Sequence, residues 1–514
     1  MNDLTQGAAI RGALSTLSGP GEPYEVDADL AQLLCLTSDG VLHVATGYGA
    51  DPYVLAYAER VRRKGMKIIE RRFGTPEDIQ RLYGRRVVKK EQTPASNRSQ
   101  AQLGQSRHEQ VKALLRRATD AGASDIHFKA SPNGHHVRFR VHGDLETVET
   151  YAGKDGQDVM SAIFETMCET KDNSYRPDQR QDARLKTEFV TECGLFGARV
   201  ATRPSLNGPG MTMRMLYDGG RQLSLEDIGY LPSQIAAFKR LVQRTDGMVF
   251  LTGTTGSGKS TSIQTLLNML IEAMANAICL RTVEDPVEYR IAGADQSALG
   301  TGEAWHEAIT NLMRLDPDVL LIGEVRDRAS LLAALQSALT GHMTWTTLHV
   351  QSAMASFQRM EDLGADKNLL FDPALIKALV NQSLVRELCP QCKTPYLEGR
   401  DRLLDDQRQR IERFCIPEHV YLHGEGCSHC KGRGVIGRSA VAEIVQPDLA
   451  FMRVMRNEGK AEAQAFWVRE QGGITKTAHL VQRINEGRVD PIDGERDASC
   501  PLDEEETLGV RSHA

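Results

Sequence analysis

The sequence predicts an α/β protein of several domains, organised around a mostly parallel sheet that holds a nucleoside triphosphate. Three observations carry this reading. The stretch Gly253-Thr254-Thr255-Gly256-Ser257-Gly258-Lys259-Ser260 satisfies G-x-x-x-x-G-K-[ST] at every fixed position. A short apolar run, Met248-Val249-Phe250-Leu251, precedes it, and Ile263, Leu266, Leu267, Leu270 and Ile271 follow at helical spacing. From about residue 223 to 385, strand-like and helix-like segments alternate, which is the pattern of a parallel sheet with crossover helices.

The chain has 514 residues, too many for one hydrophobic core, so about three or four domains are expected. Its formal net charge of −6 gives no footprint for non-specific nucleic-acid binding. No apolar run approaches the roughly 18 residues that cross a bilayer, and MNDLTQGAAIRGAL lacks a signal-peptide layout. A soluble, cytoplasmic protein is expected. In such a chain paired cysteines point to metal rather than disulfides.

Residues 1–88 mix short apolar runs with a basic helical stretch around Tyr57 to Lys67, as in a small α/β domain. Residues 89–107 are polar, without aromatics or apolar periodicity, and are expected to form a flexible linker. A second, α+β domain is expected over 108–222. It opens on an amphipathic helix (Val111, Leu114, Leu115, Ala118) and continues in alternating segments such as His136 to Val141 and Phe196 to Ala201. The nucleotide-binding domain spans 223–489 and includes a cysteine-bearing module, 386–445, and C-terminal helices. Residues 490–514 hold many carboxylates among few apolar residues and read as a disordered acidic tail.

In the phosphate-binding loop, residues Gly253 to Ser260 and the following Thr261 are the nucleotide-binding candidates. Glycines let successive N–H groups turn inward, and the helix N-terminus adds partial positive charge. Lys259 is expected to reach the β- and γ-phosphates and Ser260 to give its hydroxyl to Mg²⁺. Three carboxylates, Glu284, Asp285 and Glu288, follow the apolar strand Ile278 to Leu280. Asp316 to Asp327 is a buried strand that delivers Glu324 to its carboxyl end, with Gly323 where an Asp usually stands. Either glutamate, Glu284 or Glu324, suits positioning of the attacking water. In Thr340 to His349, His342 is the expected reader of a γ-phosphate, ahead of His349. Arg138, Arg140, Arg199, Arg203 and Arg214 form an arginine set able to stabilise transferring phosphate from another domain.

Cys389-Pro390-Gln391-Cys392 and Cys427-Ser428-His429-Cys430 form two C-x-x-C pairs separated by 34 residues. Such pairs give tetrahedral thiolate ligation of Zn²⁺ in a closed, structural site. Glycines around the second pair, Gly424, Gly426, Gly432 and Gly434, help it turn. Cys415 and the remaining cysteines are read as bystanders.

Over roughly residues 108–485 the chain resembles the type II secretion and type IV pilus assembly ATPases (the GspE/PilB group). The resemblance is carried by Ala123-Ser124-Asp125-Ile126-His127, the phosphate loop, and Thr282 to Tyr289, which looks like the family's Asp box. Asp316 to Asp327 looks like its atypical Walker B, Thr340 to His349 like its His box, and the four cysteines precede Gly437-Arg438 and Glu443. The resemblance implies a RecA-like P-loop ATPase domain with a zinc insert, preceded by a PAS-like α+β domain that closes on the nucleotide. It implies a homohexamer that uses ATP and Mg²⁺ in the bacterial cytoplasm, peripherally associated with the inner membrane. There it would drive pilus or pseudopilus assembly through a platform protein. A DNA-translocating relative and a nucleotide-regulated zinc scaffold are the alternatives. Glu284 and Glu324 inherit catalytic roles, and Arg199 and Arg214 fall at positions of nucleotide-facing arginines. Ser260 replaces the commoner Thr, Ser383 stands where Arg is usual, and residues 1–107 match poorly apart from Thr75 to Ile79.

Overall fold

The computed structural model describes residues 15–510, apart from residues 20, 27–29, 47, 50–51, 64–65, 84–99, 170–173, 218–222, 276 and 301. The chain divides into two compact units, Met1–Arg98 and Ser99–Ala514. In the first, strands β1 (Leu34–Leu36), β2 (Val41–Ala45) and β3 (Glu70–Gly74) form a sheet in that order. β1 and β2 pair antiparallel, whereas β2 and β3 run parallel. A parallel pair needs a crossover, and the helix Pro52–Arg63 supplies it. Its Val54, Tyr57 and Val61 bury against Leu34, Leu36, Leu42 and Val44. Thr75 and Asp78 make a reciprocal capping box that starts the helix Pro76–Leu82.

The second unit opens on a long helix, Gln100–Asp120. The linker expected over 89–107 therefore ends in helix from residue 100, while 89–99 lie outside the described residues. Strands β4 (Ala123–Ser131), β5 (Gly134–Val141), β6 (Asp144–Ala152), β7 (Cys168–Glu169), β8 (Gln181–Leu185), β9 (Leu195–Ser205) and β10 (Gly208–Tyr217) follow. They form an antiparallel sheet ordered β6-β5-β4-β10-β9-β8-β7. One face is apolar. Ile126, Phe128, Val137, Phe139, Val200 and Met213 pack there against Val111, Leu114 and Leu115 of the opening helix and Val159, Met160 and Ile163. The other face carries the polar residues of the alternating pattern.

A second sheet holds β11 (Gly247–Thr252), β12 (Leu280–Glu284), β13 (Ala294–Ala298), β14 (Val319–Ile322), β15 (Met343–Leu348), β16 (Ile376–Leu388) and, after two short strands, β17 (Thr394–Pro395) and β18 (Tyr421–Leu422), β19 (Val435–Val445). Its order is β13-β12-β14-β15-β11-β16-β19. Every pair is parallel except β16 with β19. Residues of β11 alternate between two cores: Met248 and Phe250 join Leu320, Ile322 and Leu348 on one face. Val249 and Leu251 join Ile263, Leu266, Leu321 and Trp345 on the other. A strand buried on both faces explains the continuous apolar run before the loop.

The acidic C-terminal stretch is not a disordered tail. Asp490 caps a helix, Pro491–Ala498, and Glu504–Thr507 form a further turn. Cys500, Leu502 and Val510 are buried. The carboxylates are consumed by distant arginines: Asp497 and Asp493 hold Arg386 at 2.8 and 3.0 Å, and Glu495 holds Arg410 at 3.1 Å. Such partners lie far off in sequence, so local composition alone reads as solvated. Leu502→Ala should lower stability by about 2–5 kcal/mol in chemical denaturation, whereas a loose tail would show no shift.

Candidate nucleotide site and four-cysteine centre

The loop Gly253 to Gly258 joins the carboxyl end of β11 to the helix Lys259–Ala273. Gly253, Gly256 and Gly258 have φ of 143°, 80° and 85°, a region that L side chains rarely adopt. A Cβ on Gly253 would also lie 2.4 Å from the carbonyl oxygen of Gln382. Lys259 is nearly buried, and its Nζ donates to the carbonyls of Gly253 (2.9 Å) and Thr254 (3.1 Å). Burial pushes this ammonium down to about 8, against the pull of Glu288 and Glu324. Thr254, Thr255 and Gly256 form the exposed crest, and Ser257 is buried with its hydroxyl unpartnered. Ser260 and Thr261 stand on the first turn of the helix.

The loop is braced from below by residues that the motif does not include. Gln382 on β16 donates its amide to the carbonyl of Ser257 (2.7 Å), and Tyr230 Oη lies 2.5 Å from Gln382 Oε1 and 2.9 Å from Ser262 Oγ. The neighbouring Ser383, noted as a departure, donates its hydroxyl to the carbonyl of Ala498 at 3.3 Å. Nothing in the sequence besides its place on an apolar strand singles out Gln382.

Strand direction decides what else reaches this edge. β12, β14 and β15 run parallel to β11, so Glu284, Glu324 and His349 emerge at their carboxyl ends, beside the loop. Glu284 ends β12; its Oε1 accepts from the Thr282 hydroxyl (2.8 Å) and the Gln296 amide (3.1 Å). Burial pushes its carboxyl up despite those two hydrogen bonds. Glu324 pairs with Arg326 and lies 3.6 Å from His349 Nε2. His349 is pushed down, first by burial and then by the Lys259 charge. Gly323 faces the backbone of β12: a Cβ there would lie 3.2 Å from Glu284 Cα and Val283 O. A side chain in that slot is tightly placed and would make the neighbouring strand give by a few tenths of an ångström.

His342 is not brought to this edge. It precedes β15, whose first residue Met343 pairs with Gly247 at the start of β11, so it lies at the amino end of the sheet. Its Nδ1 is 3.0 Å from Thr340 Oγ1 and 3.1 Å from the carbonyl of Ser337, a helix-end contact. Both histidines sit in one short motif, and only the strand between them assigns the ends.

The arginines lie on the polar face of the antiparallel sheet. Arg184, Arg199, Arg214, Asp125 and Arg140 are cross-strand neighbours in one row. Arg214 Nε donates to Asp125 at 3.1 Å, while Arg199 is exposed. Arg138 and Arg140 bond to the carbonyls of Leu145 and Gly143, and Arg203 lines the open face further along. Of the set, Arg214 adds its charge to that of Arg438 in the field at Tyr289, where both favour ionisation. Burial still dominates and pushes that phenol up. Arg290 stacks over the Phe196 ring, 5.8 Å from its centroid, joining the same two parts of the chain.

The four cysteine sulfurs lie within 4.8 Å of one another. Cys389–Cys427, Cys392–Cys430 and Cys427–Cys430 are separated by 3.7, 3.8 and 3.8 Å. A tetrahedron with Zn–S of about 2.3 Å has an edge of about 3.8 Å, so the quartet fits Zn²⁺. The backbone N–H groups of Cys427 and Gly434 both point at Cys430 Sγ, 3.1 Å away, as a thiolate ligand requires. Cys415 is buried away from the quartet, among Tyr396, Ile411 and Leu422.

Comparison with known proteins agrees with this architecture. The family described as "Type II/IV secretion system protein" matches residues 101–494. Type II secretion system ATPase E of Vibrio cholerae is 30% identical over 363 residues, covering 70% of this chain and 69% of the relative. The putative type II secretion system protein E of Escherichia coli K12 is 31% identical over 369 residues, covering 68% and 71%. Type IV pilus assembly ATPase PilB of Pseudomonas aeruginosa is 31% identical over 366 residues, covering 70% and 62%. Among solved structures, the pilus retraction motor PilT with bound ADP aligns with a TM-score of 0.52 at 19% identity, covering 77% of this chain and 99% of that one. The Legionella pneumophila ATPase DotB gives 0.55 at 20%, covering 76% and 95%. Both likenesses speak to the RecA-like fold.

Purified protein should carry about one zinc per chain by elemental analysis, and Cys430→Ser should lose it. Metal-free wild-type protein that keeps its fold would remove the assignment.

Proposed function

Because the chain belongs to the Type II/IV secretion system protein family, whose relatives are ATPases of secretion and pilus systems, we propose that it is a hexameric motor that hydrolyses ATP. In this reading it drives assembly of a type IV pilus or a type II secretion pseudopilus through an inner-membrane platform protein. It would work from the bacterial cytoplasm, peripherally associated with that membrane. Among the described residues no helix is long and apolar enough to cross a membrane. The observation that carries the reading is the gathering of Lys259, Glu284, Glu324 and His349 at one edge of a parallel sheet, around a complete phosphate loop.

The donor set suits its ligands: inward amides and one ammonium for phosphate oxygens, a hydroxyl and carboxylates for a hard cation. Lys259 and the amides of Gly253 to Thr261 hold the triphosphate, and the Ser260 hydroxyl holds Mg²⁺. When bound, that ion neutralises charge on the phosphate oxygens. Glu284, kept basic by burial and oriented by Thr282 and Gln296, takes a proton from the attacking water. Glu324 orients from the adjacent strand, and a neutral His349 offers a hydrogen bond to the terminal phosphate. Arg214, and Arg199 beside it, supply positive charge from the other domain as that domain closes. Around a ring, successive closures displace the partner. The zinc module favours extension or secretion over retraction.

Lys259→Ala should abolish steady-state phosphate release; near-normal turnover would refute the assignment. The ammonium near 8 adds a pH signature. Below that pH Lys259 is charged and ready for phosphate; above it, binding must first take up a proton. Apparent nucleotide affinity should therefore be flat below pH 8 and weaken by up to about tenfold per unit above it. A flat binding profile from pH 7 to 9.5 would contradict that role.

A further inference from the structure

Two acidic residues near one hairpin tip tie the antiparallel sheet to the four-cysteine centre. β5 and β6 are joined by His142 and Gly143, with φ of 50° and 99°, so Val141 faces Asp144 across a two-residue turn. Turns with both central residues at positive φ match strand twist and fix the register. Asp144 and Glu146, two residues apart, therefore project from the same side of β6. Asp144 accepts from Arg386 Nη1 at 3.1 Å. Glu146 accepts two bonds from Arg433, Nε at 2.6 Å and Nη2 at 3.0 Å. A bidentate carboxylate–guanidinium pair is directional as well as attractive.

Both arginines are held from behind. Arg386 is buried in β16 and clamped by Asp493 and Asp497 of the C-terminal helix. Arg433 is three residues past Cys430, and its neighbour Gly434 donates its N–H to Cys430 Sγ. The carbonyl of Arg433 accepts from His423 Nε2 at 2.8 Å, and His423 Nδ1 meets Asp493 at 2.8 Å. Asp493 in turn meets Arg386. The chain of contacts Glu146–Arg433–His423–Asp493–Arg386–Asp144 thus leaves the hairpin at one residue and returns to it at another. The same sheet meets the nucleotide-binding domain again where Arg290 lies over the Phe196 ring of β9, 5.8 Å from its centroid, and β9 pairs its Arg199 with Arg214 of β10.

We propose that Glu146 and Arg433 are positioning residues for ATP hydrolysis: the metal-organised cysteine turn holds the β5–β6 hairpin through this pair and so sets the approach of the Arg214 sheet to the nucleotide. The proposal rests on the ATPase reading above. It gives the four-cysteine centre a task besides folding its own module, because the direction of Arg433 follows from the turn that the ligands close.

Hydrogen exchange of peptides covering 134–152, zinc content, kcat and KM should be measured for wild type, Glu146→Gln, Glu146→Arg, Arg433→Glu and the Glu146→Arg/Arg433→Glu swap. Each single variant is expected to speed hairpin exchange and lower kcat by about tenfold, with KM nearly unchanged. The swap should recover both, and the Glu146 variants, lying off the cysteine turn, should keep their zinc. Removing zinc from wild type should reproduce the fast exchange. Wild-type exchange and kcat in zinc-replete Glu146→Gln and Glu146→Arg would overturn the proposal, as would a zinc-replete swap no better than its singles. A wild-type chain that hydrolyses no ATP would instead overturn the functional reading beneath it, and the exchange data would still decide whether this pair docks the hairpin.

Discussion

Six neighbouring strands point the same way, and that shared direction governs everything the nucleotide-binding domain can do. Parallel strands cannot be joined by tight turns, so crossovers connect them, and all their carboxyl ends open on one edge. The phosphate loop leaves β11 there. Glu284, Glu324 and His349 arrive from three other strands, separated by up to 96 residues from the loop's first glycine yet adjacent in space. His342 is seven residues before His349, at the far end of a six-residue strand. At a rise of about 3.3 Å per residue, that strand holds them roughly 20 Å apart.

Electrostatics follows the same geometry. Burial at the edge lowers the Lys259 ammonium and raises the Glu284 carboxyl, because loss of water disfavours the charged form of each. Away from the edge, buried arginine demands buried carboxylate. Arg386 meets that demand with Asp493 and Asp497, which is why the acidic C-terminal stretch is ordered structure. One polar chain consequently spans the C-terminal helix, the four-cysteine centre and the hairpin of the other sheet.

Legibility in the sequence tracks how local the determining physics is. The loop, its flanking strand and helix, and the two C-x-x-C pairs are set by neighbours within a few residues, and they read directly. Glu284 and Glu324 were legible as carboxylates ending apolar strands. Choosing between His342 and His349 required knowing which end of β15 faces the loop, and a motif carries no such polarity by itself. Gln382 braces the loop across 125 residues and Tyr230 bonds Gln382 across 152, relations with no local trace. The run Asp493 to Asp497 looked solvated because its partner Arg386 lies 111 residues from Asp497. Residues 100–107 looked like linker because they lack apolar periodicity of their own; the helix is fixed by Val111, Leu114 and Leu115 further along.

Catalysis is thereby assigned to the carboxyl edge of the parallel sheet. Steady-state ATP turnover of His349→Ala and His342→Ala, measured side by side, tests it most directly. A loss of about tenfold or more in kcat is expected for His349→Ala, with turnover near wild type for His342→Ala. Loss confined to His342→Ala, with His349→Ala unimpaired, would contradict it.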